Sequence, residues 1–234
     1  MTNQALRILR GTLAVAALST TVACSDEDPT GPSTNGRIRA VHAVSNVAAL
    51  DILLNTTAYK TNVAYKGDDG YRTVQAGDFT VRFRKAGVTT DLTTAATPVA
   101  ASGDRTVFAL GTEAAPQSLV LTDNNAAPAA GKIKARFVHA AMGTGALDAY
   151  VLANIADLAT ATAAAANIAA KSASAYVERD AGTYTIVFTT AGTKTAVLTL
   201  AGVQIAAGKI RTFAAVEKAG GGAPLEGITL LDNN

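Results

Sequence analysis

Residues 79–84 read Phe-Thr-Val-Arg-Phe-Arg, and residues 183–188 read Thr-Tyr-Thr-Ile-Val-Phe. In the first stretch Phe79, Val81 and Phe83 alternate with Thr80, Arg82 and Arg84. In the second Tyr184, Ile186 and Phe188 are interleaved with Thr183 and Thr185. A period of two is the signature of a strand with one face buried and one face wet. Ala86-Gly87 and Ala191-Gly192 follow at once and mark a hairpin turn in each case. Outward from this strand, further candidates lie at 37–43, 50–55, 62–66, 71–75, 88–93, 105–111 and 118–122. Gly67-Asp68-Asp69-Gly70 and Gly103-Asp104 break the chain between them. Seven or eight short strands in about 90 residues predict an antiparallel β-sandwich. An α/β fold would need amphipathic helices between strands, and the pattern contains none.

The sandwich is expected twice. Arg39-Ala40-Val41-His42-Ala43 matches Arg136-Phe137-Val138-His139-Ala140, and Leu50-Asp51 matches Leu147-Asp148. Asn62-Val63-Ala64 matches Asn167-Ile168-Ala169, and Tyr71 matches Tyr176. Ala76-Gly77-Asp78-Phe79-Thr80 matches Ala181-Gly182-Thr183-Tyr184-Thr185. Leu121-Thr122-Asp123-Asn124-Asn125 matches Leu230-Leu231-Asp232-Asn233-Asn234. Such self-similarity marks a duplicated structural unit. The boundaries follow as repeat 1 at 37–125, a linker at 126–131 and repeat 2 at 132–234. Each repeat is long enough to carry its own core. Repeat 2 has extra residues between Leu152 and Asn167 and in a Gly-rich hairpin from Glu217 to Gly227. The first of these is expected to be an enlarged loop with a helical turn at its tip.

Residues 1–23 read as an export signal. Arg7 and Arg10 precede an uncharged run from Gly11 to Ala23, too short to span a bilayer. Thr21-Val22-Ala23-Cys24 ends the run, and Cys24 is the only Cys in the chain. A lone thiol at a cleavage junction has a purpose as a lipid attachment point. The segment resembles a bacterial lipoprotein signal, and residues 24–36 then form an acylated Cys and flexible tether, rich in Pro, Gly and acids. The expected location is the cell envelope, lipid-anchored; Ser25 after the Cys points to the outer membrane. A tether of this kind would hold repeat 1 near the membrane and leave repeat 2 distal.

Charge excludes one class of partner. Setting aside Arg7 and Arg10 leaves 18 of the 20 Lys and Arg, and setting aside Asp26, Glu27 and Asp28 leaves 15 of the 18 Asp and Glu. The body carries no basic run to follow a phosphate backbone and few aromatic rings to stack bases, so no nucleic acid is expected.

The motifs R-x-V-H-A, L-D-x-[LY]-[LV], N-[VI]-A, A-G-x-[FY]-T and L-x-D-N-N together resemble the domain-of-unknown-function 4397 family, over both repeats. The resemblance implies an immunoglobulin-like β-sandwich in an exported bacterial protein, commonly a lipoprotein with tandem copies. It implies no activity.

The residues themselves offer little chemistry. His42 with Asp51, and His139 with Asp148, form the one repeated polar pair. A carboxylate beside an imidazole can orient a catalytic base, but no nucleophile motif accompanies it. The pair is therefore expected to be a structural hydrogen bond between neighbouring strands. One Cys and two His leave no metal set. Gly143-Thr144-Gly145 lacks the third glycine and the parallel-strand context of a dinucleotide loop. No metal, no cofactor and no enzymatic activity are expected. The function expected is that of a non-catalytic, membrane-anchored envelope lipoprotein with a structural or partner-binding role. The alternatives are a carbohydrate- or peptide-recognition module used in adhesion and, third, a hydrolase built on His42 and Asp51.

Overall fold

The computed structural model describes residues 33–233. The export signal, Cys24 and most of the tether lie outside the described residues. Repeat 1 has eight strands: β1 (Asn35–Val44), β2 (Ala49–Leu54), β3 (Thr57–Ala64), β4 (Arg72–Gln75), β5 (Gly77–Lys85), β6 (Asp91–Val99), β7 (Asp104–Thr112) and β8 (Ala115–Asp123). They form two sheets, ordered β4-β1-β7-β8 and β3-β2-β5-β6. Repeat 2 follows with β9 (Lys132–His139), β10 (Leu147–Leu152), a 3-10 helix at Ile155–Ala159, β11 (Ala165–Ile168), β12 (Ser172–Ala173) and β13 (Val177–Asp180). It ends with β14 (Gly182–Thr190), β15 (Ala196–Ile205), β16 (Ile210–Val216) and β17 (Glu226–Asn233). One of its sheets is β11-β10-β14-β15; in the other, β12 and β13 both pair with β9, and β16 and β17 follow. The chain is all-β and each repeat is a two-sheet sandwich.

Two sequence expectations shift. The strand expected at 62–66 is β3 at 57–64, because the break falls at Asn55, with φ of 55°, while Asn62, also at 55°, only kinks the strand. The strand expected at 88–93 starts later, because Val88 belongs to the turn and bonds back to the Lys85 carbonyl. Pairing is antiparallel throughout, with one exception in each repeat: β1 runs parallel to β7, and β9 parallel to β16. The reason is alternation. In repeat 1 each strand reverses the one before, so odd-numbered strands all run away from the end at which Ser33 enters, and two odd strands that become neighbours must be parallel. In repeat 2 β12 and β13 run the same way, both antiparallel to β9, which shifts the count by one and leaves β16 parallel to β9.

That alternation defines an entry end, with Ser33 and the 100–103, 124–131 and 206–209 turns, and an opposite end. Within repeat 1 the core is built from Ile38, Ala40, Leu50, Ile52, Val81, Phe83 and Val107, all fully buried. The matching core of repeat 2 contains Ile133, Phe137, Ala149, Ile186, Phe188 and Phe213. A third core joins the repeats: Val41, Ala43, Phe108 and Leu110 from one side pack with Val138, Ala140, Ala214, Val216 and Leu230 from the other. β1, β7, β9 and β16 are thus buried on both faces, and their sequences are continuous apolar runs such as Val107-Phe108-Ala109-Leu110. Strands β1–β17 form a single compact unit. The expectation that repeat 2 stands distal to repeat 1 is corrected. The repeats lie side by side, because Arg39 meets Asp232 towards the entry end and Ser45 meets Glu217 at the opposite end.

The enlarged loop of repeat 2 has a packing role. Leu158, Ala161 and Ala163 cover Tyr150, Leu152 and Val187 on the outer sheet. Lys194 Nζ lies over the Tyr150 ring, 4.4 Å from its centroid, and donates to the Ala161 carbonyl. The corresponding face of repeat 1 carries Arg82 and Arg84, both paired with Asp91, and needs no cover.

Candidate functional site

The polar residues shared by the two repeats converge on the seam between them. Arg39 lies on β1, on the same face as Val41, and so points into the third core. Its Nη2 donates to Asp232 Oδ1 at 2.5 Å and to Thr106 Oγ1 at 2.9 Å, and its Nη1 to the Leu231 carbonyl at 3.4 Å. Thr212 Oγ1 donates to the second oxygen of Asp232 at 2.6 Å. The reciprocal set is complete. Arg136 Nη2 donates to Asp123 Oδ1 at 2.6 Å and to Thr212 Oγ1 at 3.1 Å, while Nη1 reaches the Thr122 carbonyl at 3.2 Å. Thr106 Oγ1 donates to Asp123 Oδ2 at 2.7 Å. Each arginine therefore binds the carboxylate of the other repeat and takes up a carbonyl on an otherwise open strand edge.

An aromatic ring covers each guanidinium. Tyr71 stacks on Arg39 at 4.4 Å and Tyr176 on Arg136 at 4.8 Å. Tyr71 donates its hydroxyl to Asp123 at 2.7 Å. Burial pushes the Tyr176 phenol up to about 12. At the entry end Arg37 pairs with Asp104, and Asn125 Nδ2 donates to the same carboxylate at 2.7 Å. Burial works against the Asp104 anion, yet Arg37 and Asn125 hold its pKa below the usual carboxylate range.

At the opposite end the symmetry breaks. Glu217, from the Gly-rich hairpin of repeat 2, is buried; Oε1 accepts from the Gly143 N–H at 2.7 Å and Oε2 from Ser45 Oγ at 3.1 Å. The Gly220 N–H then donates to the Ser45 carbonyl at 2.7 Å. Gly220, Gly221 and Gly222 all have φ between 76° and 93°, a conformation open to glycine. This hairpin clasps repeat 1.

The expected His–Asp hydrogen bond is corrected in both repeats. His42 donates from Nε2 to the Val47 carbonyl at 2.9 Å and accepts at Nδ1 from the Val44 N–H at 3.2 Å. Burial lowers its pKa to about 4, against the pull of the Val47 carbonyl. His139 Nε2 bonds the Gly145 carbonyl at 2.9 Å, and burial lowers its pKa also. Asp51 accepts from the Asn62 and Gly87 N–H groups at 2.8 and 3.0 Å, and Asp148 from those of Asn167 and Gly192 at 2.7 and 2.8 Å. Each Asp thus ties a kinked edge strand to a hairpin turn. The physical reason is direction: His42 turns toward its own β1–β2 connection, while the amides of Asn62 and Gly87, both at positive φ, reach Asp51. The Arg–Asp pairs escaped sequence reasoning. Their signal is an arginine at matching positions of two strands, each followed by a largely apolar run.

Beside the seam lies an open cleft of about 510 Å³, lined by Arg37, Gly70, Tyr71, Leu231, Asp232 and Asn233 among others. Both repeats contribute to it. Among the described residues no group of three His, Cys, Asp or Glu could hold a metal ion.

Residues 36–150 match the family model described as "Domain of unknown function (DUF4397)". The matched span takes in repeat 1 (37–125), β9 and the first part of β10. No curated protein matches the chain. Among solved structures, the chain is similar to CBMbc, a family CBM26 module of Amy13K from Eubacterium rectale, crystallised with maltoheptaose. The two are 13% identical, with 86% of this chain and 98% of that one covered and a TM-score of 0.27.

Proposed function

With residues 36–150 belonging to the DUF4397 family, we propose that this chain is a non-catalytic module of the bacterial cell envelope, acylated at Cys24 and held at the outer membrane. One observation carries the non-catalytic part. The polar residues repeated in both copies are consumed by the fold: Arg39, Asp123, Arg136 and Asp232 lock the repeats together, and His42, Asp51, His139 and Asp148 tie turns. A rigid two-sandwich body suits presenting a surface or spacing partners. The seam cleft favours a second reading, recognition of a small polar ligand such as a glycan or peptide, because Arg37 and backbone groups of Gly70 face it from one repeat and Asn233 from the other.

Detergent partition tests the anchor. Expressed in a Gram-negative host, the wild type should enter the detergent phase with a fatty acid on Cys24. Cys24→Ser should remain soluble or unprocessed. A free periplasmic wild type without fatty acid would refute the anchor. A glycan array tests the second reading, and loss of any signal in Arg37→Ala would assign it to the seam cleft.

A further inference from the structure

We propose that the entry end of the body is a face that rests on an anionic phospholipid surface. The inference deepens the anchored reading and rests on acylation at Cys24. Three observations support it. The first is position: Ser33, from which the tether departs, lies at this end of β1, and the side-by-side packing presents both repeats there together.

The second is charge. With the two crossed Arg–Asp pairs included, this end holds ten Lys and Arg against seven Asp and Glu, whereas the other residues of 37–233 balance at eight of each. The whole excess of the body is therefore at one end. Arg37 and Lys132 are neutralised by Asp104 and Asp180. Arg72, Arg105, Arg179, Lys209 and Arg211 have no carboxylate partner among the described residues. Arg105, Arg179 and Arg211 donate only to backbone carbonyls. The opposing carboxylates without a cation are Asp78, Asp157 and Glu178.

The third is apolar exposure. Ile155 and Leu231 are 47% and 50% exposed, two of the three large apolar side chains left open among the described residues. Ile155 sits on the 3-10 turn below β10, and Leu231 near the end of β17. Cations that attract headgroups, beside apolar side chains able to enter the interface, are the chemistry of a peripheral membrane face. A bilayer is favoured over a protein partner because the anchor delivers this end to lipid.

Flotation and hydrogen exchange on the purified acylated chain test the face. The probes are vesicles of phosphatidylcholine alone, and of phosphatidylcholine with phosphatidylglycerol. The chain should float with both, and amide exchange across residues 206–211 should slow only on the anionic vesicles. High salt should abolish that protection, since screening at 1 M acts within about 3 Å. Lys209→Glu and Arg211→Glu should each reduce it roughly five-fold, while Lys218→Glu at the opposite end should not. The wild-type comparison between lipids and salts needs no variant, so a misfolded mutant leaves the test intact. Flotation with both vesicles but equal exchange on each would overturn the face and spare the anchor. Flotation with anionic vesicles alone would support the face and overturn the anchor. Flotation with neither would overturn both.

Discussion

Arg39 of the first repeat and Asp232 of the second meet at 2.5 Å with side chains 1% and 0% exposed, 193 residues apart in the chain. The same contact recurs in reverse between Arg136 and Asp123. A buried pair of this kind adds little net stability over an apolar one, because desolvation offsets the attraction, but it severely penalises any arrangement that leaves one charge alone. It therefore selects the register in which the two repeats meet.

Breaking one side should expose that asymmetry. Arg39→Ala strands the Asp232 carboxylate in the third core and should cost about 3–5 kcal/mol. The double change Arg39→Met with Asp232→Leu should recover most of the loss. Urea unfolding of the wild type and the two variants measures this. A double variant no more stable than the single one would mean that the pair itself contributes the stability.

Separation of the repeats is a second test. Residues 37–125 and 132–234 each retain a sandwich core but lose the third core, exposing Val41, Phe108 and Leu110 on one half and Val138, Ala214 and Leu230 on the other. Each half should show β-type circular dichroism, melt below the intact chain and tend to self-associate. Mixed halves should form a 1:1 complex in analytical ultracentrifugation. Halves that stay monomeric and ignore each other would show that the seam adds nothing.

The response to pH comes from buried groups of opposite sign, His42 and His139 against Asp69. His42 titrates near 4 when folded and near 6.5 when unfolded, so between those values the unfolded chain binds more protons and stability falls as pH drops. Burial raises Asp69 to about 7, although the Ala40 N–H pulls it down. The folded state then keeps its proton while the unfolded state loses it above about 4, so stability falls as pH rises to 7. The His42 and Asp69 contributions oppose each other across the same window. Asp69→Asn should gain up to about 4 kcal/mol at neutral pH and nothing near pH 4. It should make stability decline more steeply on acidification than in the wild type, because only the His42 and His139 contributions then remain. Thermal melts at both ends of the window check it.

Deleting residues 153–160 would shorten this loop of repeat 2 to the length of its counterpart in repeat 1. It would also remove Leu158 from Tyr150, Leu152 and Val187. Uncovering buried apolar side chains costs on the order of 1–3 kcal/mol for each one fully exposed. The deletion should lower the melting temperature and raise dye binding to exposed apolar surface. Adding Val187→Arg, which copies the Arg82 of repeat 1, should suppress the dye signal. An unchanged melting temperature would show that the loop is filler.

Period two at Phe79–Arg84 and Tyr184–Phe188, with the glycine turns and the repeat offsets, was sufficient to specify two all-β sandwiches and nearly every strand. Alternation and turn chemistry are local, and local geometry is written into neighbouring residues. The pairing of side chains distant in sequence is not. His42 and Asp51 have a plausible hairpin spacing, yet each bonds to backbone, because side-chain direction depends on where β1 and β2 leave their sheets. The parallel β1–β7 contact, the side-by-side repeats and the crossed Arg–Asp pairs arise only when four sheets stack. The charged end became visible only then, since its residues come from five or more turns that nothing in the linear order brings together. The amino-acid sequence determined which faces would be buried; the tertiary structure decided what each face is buried against, because that choice depends on shape and charge complementarity between surfaces assembled from the whole chain.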